Sequence, residues 1–412
     1  MYDPAAEEGG GGPVMSKMKT THKKRSIIKT ERLVRIGDFL DERLNSDFRR
    51  RHYEAPLLEG RPRELVWYRI PIPEGTTGDG SEYHIYLKRG TNKNLCVFLS
   101  GGGVAWNEYT AARPTTGGKV AAGLPNYYWN NLRPFTQVYN IHQGMMQIGN
   151  LDNPFHDWNI VVITYATGDM HIGDADFPYT AEDGSEQILR FHGYRNFLAA
   201  MERAVKFFRK PRRLLIAGDS AGGFAVPALT PEILNTYYPG CEKVTVLSDS
   251  AQLLYRRWRS TARNVWKARP QFWEPLRGNN ITLDWYRALY REMGEKLQYL
   301  YAGSPRDHLL SAYYNDVVNN EFRSDRAALE HFEKQMRNMV LQLKEVTPSF
   351  GVFVYPWRSP LHGGGTLHTA VRHPQFYLPT PDGVSMARWL GDAVEGRVYD
   401  ANLDLLSIRE RK

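Results

Sequence analysis

A serine flanked by glycines, directly after an apolar segment, is the clearest chemical signal in the sequence. Residues 214–217 are apolar, and Gly218-Asp219-Ser220-Ala221-Gly222 follows, ahead of further small and apolar residues. Such a turn between a strand and a helix exposes the serine hydroxyl, and small neighbours allow the close main-chain approach that its strained backbone requires. We therefore predict that Ser220 is a nucleophile for acyl transfer. The competing interpretation is a tight glycine turn with an unreactive serine.

A second glycine cluster follows another apolar segment. Residues 95–99 lead into Ser100 and then into three glycines, Gly101 to Gly103. Glycines at this position allow backbone N–H groups to point into a cleft. The amides of Gly103, Val104 and Ala221 are the predicted oxyanion hole, and a flexible strand exit is the alternative interpretation.

The general base and the acid are expected after Ser220 in the chain. His362, His368 and His373 all follow the last apolar segment, residues 352–355. His368 is preferred because the glycines before it allow a loop to fold over the site, and His362 ranks second.

For the acid, two aspartates each follow a predicted strand: Asp316 after residues 309–314, and Asp249 after residues 244–247. Spacing alone does not separate them. Asp219 is predicted to be structural.

A metal site is the less favoured interpretation of a short polar stretch. Asp169, His171 and Asp174 lie within one segment with no further ligand evident, which is more typical of a hydrogen-bonded loop. We expect no metal and no organic cofactor.

Short apolar segments separated by helical patterns predict an α/β protein. Several are continuously apolar, as strands buried on both faces of a sheet must be. One helix is predicted from a stripe at spacings of three and four that begins at Ile188 and ends at Phe208. The pattern predicts a doubly wound, mostly parallel sheet. The predicted strands are residues 65–72, 83–87, 95–99, 160–165, 214–217, 244–247, 309–314 and 352–355.

The 412 residues are predicted to form one large domain, residues 56–412, preceded by a disordered basic tail and a short arm, residues 1–55. The first sixteen residues include a glycine run and have nothing to bury. Residues 252–305 are rich in aromatic residues and are predicted to be a helical cap insertion, whose aromatic side chains either line an acyl or glycan pocket or pack the cap.

Most of the formal net charge of +8 lies in one short segment near the N-terminus. Six basic residues between Lys17 and Lys29, with no acid among them, leave a body of about +2 when set aside. Nucleic acid is therefore not an expected partner except through this tail.

No segment reaches the ~20 apolar residues of a membrane span, and no apolar signal-peptide segment is evident. With Cys96 and Cys241 as the two cysteines, a cytoplasmic location is expected.

Taken together, five ordered segments resemble the pectin acetylesterase and Notum-like carboxylesterase family, which has the α/β-hydrolase fold. The segments are residues 98–106, 153–158, 165–174, 192–196 and the Ser220 turn. In this family the acid lies in an Asp-x-x-Gln segment, which Asp316-Val317-Val318-Asn319 resembles, and the histidine in a Gly-x-x-His-Thr-like segment, which residues 365–369 match. The resemblance thus implies a Ser220, Asp316, His368 triad. Related sequences tend to carry Cys where Ala105 and Ala166 stand. The alanines at both positions of this chain fit a reducing compartment.

The resemblance implies a serine carboxylesterase (EC 3.1.1) that hydrolyses acetyl or acyl esters of a small molecule, glycan or lipid through an acyl-enzyme. Two alternatives stay open. One is an amidase or acyltransferase with the same triad, and the other is a non-catalytic binding or scaffold protein that kept the fold.

Overall fold

The computed structural model describes residues 14–359 and 364–407, and it describes residues 14–28 by their backbone alone. The strands in chain order are β1 (Trp67–Thr76), β2 (Glu82–Lys88), β3 (Leu95–Leu99), β4 (Asn159–Ile163), β5 (Ala175–Thr180), β6 (Glu186–Phe191), β7 (Leu214–Asp219), β8 (Val244–Asp249), β9 (Leu297–Gly303) and β10 (Gly351–Val354). The α-helices are α1 (Val14–Arg50), α2 (Glu108–Ala111), α3 (Gly117–Ala122), α4 (Gln137–Ile141), α5 (Gly193–Phe207), α6 (Ala221–Glu232), α7 (Trp258–Ser260), α8 (Pro270–Trp273), α9 (Ile281–Met293), α10 (His308–Asn319), α11 (Arg326–Val346) and α12 (Met386–Val394).

One eight-stranded sheet organises the body. Its strand order is β1-β2-β4-β3-β7-β8-β9-β10, and β5 and β6 form a separate antiparallel hairpin. The β1/β2 and β2/β4 pairs are antiparallel, and the other neighbouring pairs are parallel. The predicted mostly parallel sheet is confirmed, and its first edge is antiparallel.

The central strands are apolar throughout because both faces of the sheet are covered. All five residues of β3 are buried. Leu95, Val97 and Leu99 belong to one core cluster, whereas Cys96 and Phe98 belong to the cluster on the opposite face. A continuously apolar strand therefore fits a position between two helical layers.

The predicted strand at residues 309–314 is wrong, because this segment lies inside α10. The carboxylate of Asp307 accepts hydrogen bonds from the amides of Leu309 and Leu310, 3.0 Å each, and so caps the first turn of the helix. A short apolar run has no periodicity that separates a buried strand from a buried helix, and the cap decides between them here.

Two further boundaries differ from the sequence-based prediction. Residues 252–305 include β9, which pairs with β8 and β10 inside the main sheet, so the last part of this range is not a cap insertion. The helical stripe that begins at Ile188 divides into β6 and α5. Four large aromatic side chains of the insertion, Trp258, Trp266, Trp285 and Tyr286, are at most 1% exposed and pack the core.

The N-terminal arm is one long helix, α1, rather than a disordered tail from residue 14 onward. Residues 1–13, which fall in the predicted disordered segment, lie outside the described residues. Helix α1 packs on α3 and on the turn Pro134–Thr136. In the part of the chain that the structure describes, no helix is long and apolar enough to cross a membrane.

Candidate active site

Ser220 lies in a strained turn between β7 and α6. Its φ of 49° and ψ of −125° are unfavourable for any residue with a side chain. The turn needs glycine on both sides, because a Cβ at Gly222 would lie 1.9 Å from the carbonyl oxygen of Leu99, and one at Gly218 would lie 2.5 Å from the carbonyl carbon of Gly222. The local backbone therefore has the geometry expected of a nucleophile turn.

Ser220 lines a cavity of about 660 Å³ at the carboxyl ends of the parallel strands. The three glycines Gly101 to Gly103 and His368 line the same cavity. The structure thus brings together the predicted nucleophile, the predicted base and the glycine loop, which are far apart in the sequence.

The imidazole of His368 is held on one side only. Its Nδ1 lies 2.7 Å from Oδ2 of Asp307, a carboxylate that is 1% exposed. Its Nε2 is buried and has no hydrogen-bond partner among the described residues. Burial, the largest single effect, lowers the pKa of His368, but the carboxylates of Asp307, Asp249 and Asp219 together raise it, so the net pKa lies above its usual value. The ring can therefore accept a proton on Nε2 while Asp307 fixes the opposite nitrogen.

Asp316, the acid implied by the resemblance, does not contact His368. Its Oδ2 accepts a hydrogen bond of 2.6 Å from the hydroxyl of Tyr127. The prediction placed Asp316 at the end of a strand, whereas it lies near the end of α10, away from the turn that Asp307 caps. Asp307 was missed, although an aspartate just before an apolar run is a recognised helix-start signal.

Asp249, the other candidate acid, positions the chain that follows the histidine. Its carboxylate accepts from the amides of Ala370 and Val371, at 2.7 and 2.8 Å, and from the hydroxyl of Tyr355 at 2.9 Å. Burial raises the pKa of Asp249 to about 6. Asp249 therefore anchors the loop that carries His368 and does not itself bind the imidazole.

Asp219 is structural, as predicted. Its carboxylate accepts from Nε and Nη2 of Arg372, at 2.9 and 2.8 Å, and from the amide of Gly101 at 2.8 Å. Nη1 of Arg372 donates to Asn140. This buried ion pair connects the serine turn, the glycine loop and the chain after His368.

Val104 cannot be an oxyanion donor as predicted. Its amide donates a hydrogen bond of 2.8 Å to the carbonyl oxygen of Tyr127, which also fixes the start of the loop. An antiparallel bridge between Gly103 and Tyr128 brings the Val104 amide to this acceptor, and the local glycine pattern does not reveal that bridge.

The Gly102 and Gly103 amides are available. Neither donates to an acceptor in the described part of the chain, and both residues line the cavity beside Ser220. Gly103 has a φ of 84°, and a Cβ there would lie 1.9 Å from the oxygen of Tyr127, so glycine is required. The amide of Ala221, at the first position of α6, likewise has no acceptor within the described residues. These three amides are the donors that the structure leaves for an oxyanion.

The remaining candidates take other roles or cannot be placed. His362 lies outside the described residues, and the His373 side chain accepts from the amide of Gln375. Asp169 accepts from Thr167, Gly193 and the amide of His171, as the hydrogen-bonded loop interpretation predicted. Within residues 14–359 and 364–407, no group of three or more His, Cys, Asp or Glu side chains could hold a metal ion.

Comparisons with known proteins agree with the fold and the resemblance. Residues 74–265 match the model of the family described as Pectinacetylesterase. The structure is similar to that of the Wnt deacylase Notum from Drosophila, with a TM-score of 0.53 and 16% identity over 81% of this chain and 95% of that chain. No curated protein matches. The two structures thus share a fold, and the family match covers the part of the chain that contains Ser220 and the glycine loop.

Proposed function

We propose that this protein is a serine carboxylesterase that hydrolyses acetyl or acyl esters, with Ser220 as nucleophile, His368 as general base and Asp307 as the orienting acid. The observation that carries the proposal is the imidazole of His368, which is bound through Nδ1, has no partner at Nε2 among the described residues and lines the same cavity as Ser220. The region that matches the family contains Ser220 and the glycine loop.

The proposed reaction has two stages. His368 Nε2 takes the proton of Ser220 as Oγ attacks the ester carbonyl, and the alcohol leaves with that proton as the acyl-serine forms. Water then attacks the acyl carbonyl as Nε2 takes one of its protons. The tetrahedral intermediate collapses to the free acid, and Nε2 returns the proton to Oγ of Ser220. Asp307 fixes the Nδ1–H tautomer and stabilises the imidazolium, without taking the proton.

The oxyanion of each tetrahedral intermediate would be bound by the amides of Gly102, Gly103 and Ala221. The amide of Ala221 is at the N-terminus of α6, where the helix dipole also favours negative charge. One such donor is worth about 3 kcal/mol in the transition state.

The test is covalent labelling and ester turnover with a matched serine control. A fluorophosphonate probe should label wild type and Ser81→Ala, whose serine lies on an exposed turn, but not Ser220→Ala. Hydrolysis of p-nitrophenyl acetate should fall by at least about 10⁴-fold in Ser220→Ala and stay unchanged in Ser81→Ala. Labelling of Ser220→Ala at the wild-type rate would refute the proposed nucleophile.

A further inference from the structure

Helix α1 forms part of the wall of the catalytic cavity. Gly37, Leu40 and Leu44 line the same cavity as Ser220, although α1 precedes the sheet and lies outside the region that matches the family. The N-terminal arm of this chain thus contributes one wall of the site.

Close backbone packing and buried polar contacts hold α1 beside the site. A Cβ at Gly37 would lie 2.6 Å from the carbonyl oxygen of Gly117, so the axes of α1 and α3 approach as closely as glycine permits. Asp38 accepts from the amide of Gly118 at 2.8 Å, and Asp41, which is 5% exposed, pairs with Arg133. These contacts fix which face of α1 lies against the body.

The mouth of the cavity has an apolar rim, which consists of Leu40, Leu44, Val120 and Tyr139. These side chains line the cavity and are nevertheless 51%, 56%, 57% and 53% exposed. Apolar side chains that border a cavity and remain half exposed gain free energy when an apolar ligand covers them. Two of the four belong to α1.

The charged side chains that line the cavity already have partners. Asp41 pairs with Arg133, Asp219 pairs with Arg372, and His368 pairs with a buried carboxylate. The described lining therefore offers no unpaired charge to a charged substrate. The free surface at the mouth is apolar instead.

We propose that α1 determines the acyl specificity of the site: Leu40 and Leu44 bind an extended apolar acyl chain whose ester lies at Ser220. This inference rests on the proposed esterase function and names its substrate class, an ester of a medium- or long-chain fatty acid. An acetyl group reaches the catalytic loops but not the rim, so α1 contributes to the selectivity for long over short chains.

The experiment compares p-nitrophenyl esters from acetyl to palmitoyl. The Leu40→Ser/Leu44→Ser variant should lower the ratio of kcat/KM for the best long ester to that for acetyl by about tenfold, because two apolar contacts with the chain are lost. The matched control is Leu33→Ser/Phe39→Ser, which removes two exposed apolar side chains of the same helix that do not line the cavity. The control should retain the wild-type ratio.

An unchanged ratio in Leu40→Ser/Leu44→Ser, or an equal fall in the control, would overturn the inference. Binding of the fluorescent fatty acid cis-parinarate to Ser220→Ala proteins separates this inference from the proposed function, because binding needs no turnover. If wild type hydrolyses no ester but parinarate binding still weakens about tenfold on adding Leu40→Ser/Leu44→Ser, the esterase proposal fails and the acyl site stands. If parinarate does not bind, or binds with the same affinity with and without those substitutions, the proposed acyl-binding role of Leu40 and Leu44 is wrong.

Discussion

Nδ1 of His368 lies 2.7 Å from Oδ2 of Asp307, and Oδ1 of the same carboxylate caps helix α10. One buried aspartate thus fixes both the imidazole and the start of a helix. Because the cap immobilises the carboxylate, the orientation of His368 depends on the folded position of α10. Asp307 lies in the short connection between β9 and α10, where it can do both.

Asp307→Asn should lower kcat/KM for p-nitrophenyl acetate by about 10⁴-fold, since asparagine cannot hold the required tautomer. Asparagine still caps a helix well, so the change isolates the contact with His368. Asp316→Asn is the matched control on the same helix and should stay within a few-fold of wild type, because Asp316 binds Tyr127. A large loss in Asp316→Asn with little effect of Asp307→Asn would restore the acid implied by the family resemblance.

The acidic limb of the pH profile should lie above pH 6.5. The proposed mechanism requires neutral His368, and the pKa of this residue is raised above the ordinary 6.5, so kcat/KM should increase with pH through that raised pKa. In Asp307→Asn one carboxylate that raises the pKa is gone and burial, which lowers it, remains. NMR titration of His368 in the Ser220→Ala background should then show a lower pKa than with Asp307 intact. Equal pKa values in the two proteins would contradict this electrostatic role.

Arg372→Met should destabilise the fold by about 3 kcal/mol, because it leaves the buried carboxylate of Asp219 without its charge partner. Urea denaturation measures the change. Arg326→Ala removes an exposed ion pair with Glu330 and should cause no measurable change. Comparable losses in both variants would show that burial of the Asp219–Arg372 pair has no special role.

Gly222→Ala should destabilise the fold by about 2 kcal/mol or more and reduce esterase activity, because the added Cβ would collide with the backbone of Leu99. Gly149→Ala is the control, since a Cβ there meets no atom within 4 Å. Thermal unfolding of the two variants provides the comparison. Wild-type stability of Gly222→Ala would mean that the serine turn is looser than the structure indicates.

The sequence alone predicted the mostly parallel sheet and the Ser220 turn, for a local physical reason. Continuous apolar segments identify strands covered on both faces, and a serine between small residues at the end of such a strand leaves little choice of backbone. The glycines after β3 similarly identified the loop beside the nucleophile. These features depend on neighbours within a few residues.

Tertiary structure decided the identity of the carboxylate that binds His368, the donors of the glycine loop and the wall of the cavity. Asp307, Asp249 and Asp316 are all aspartates near apolar segments, and only the packing of α10 against the loop after β10 separates their roles. The amide of Val104 is engaged by Tyr127, a contact between distant segments. Helix α1 falls within the predicted N-terminal tail and arm, but its position beside the cavity of Ser220 depends on glycine contacts with α3, which no local pattern encodes.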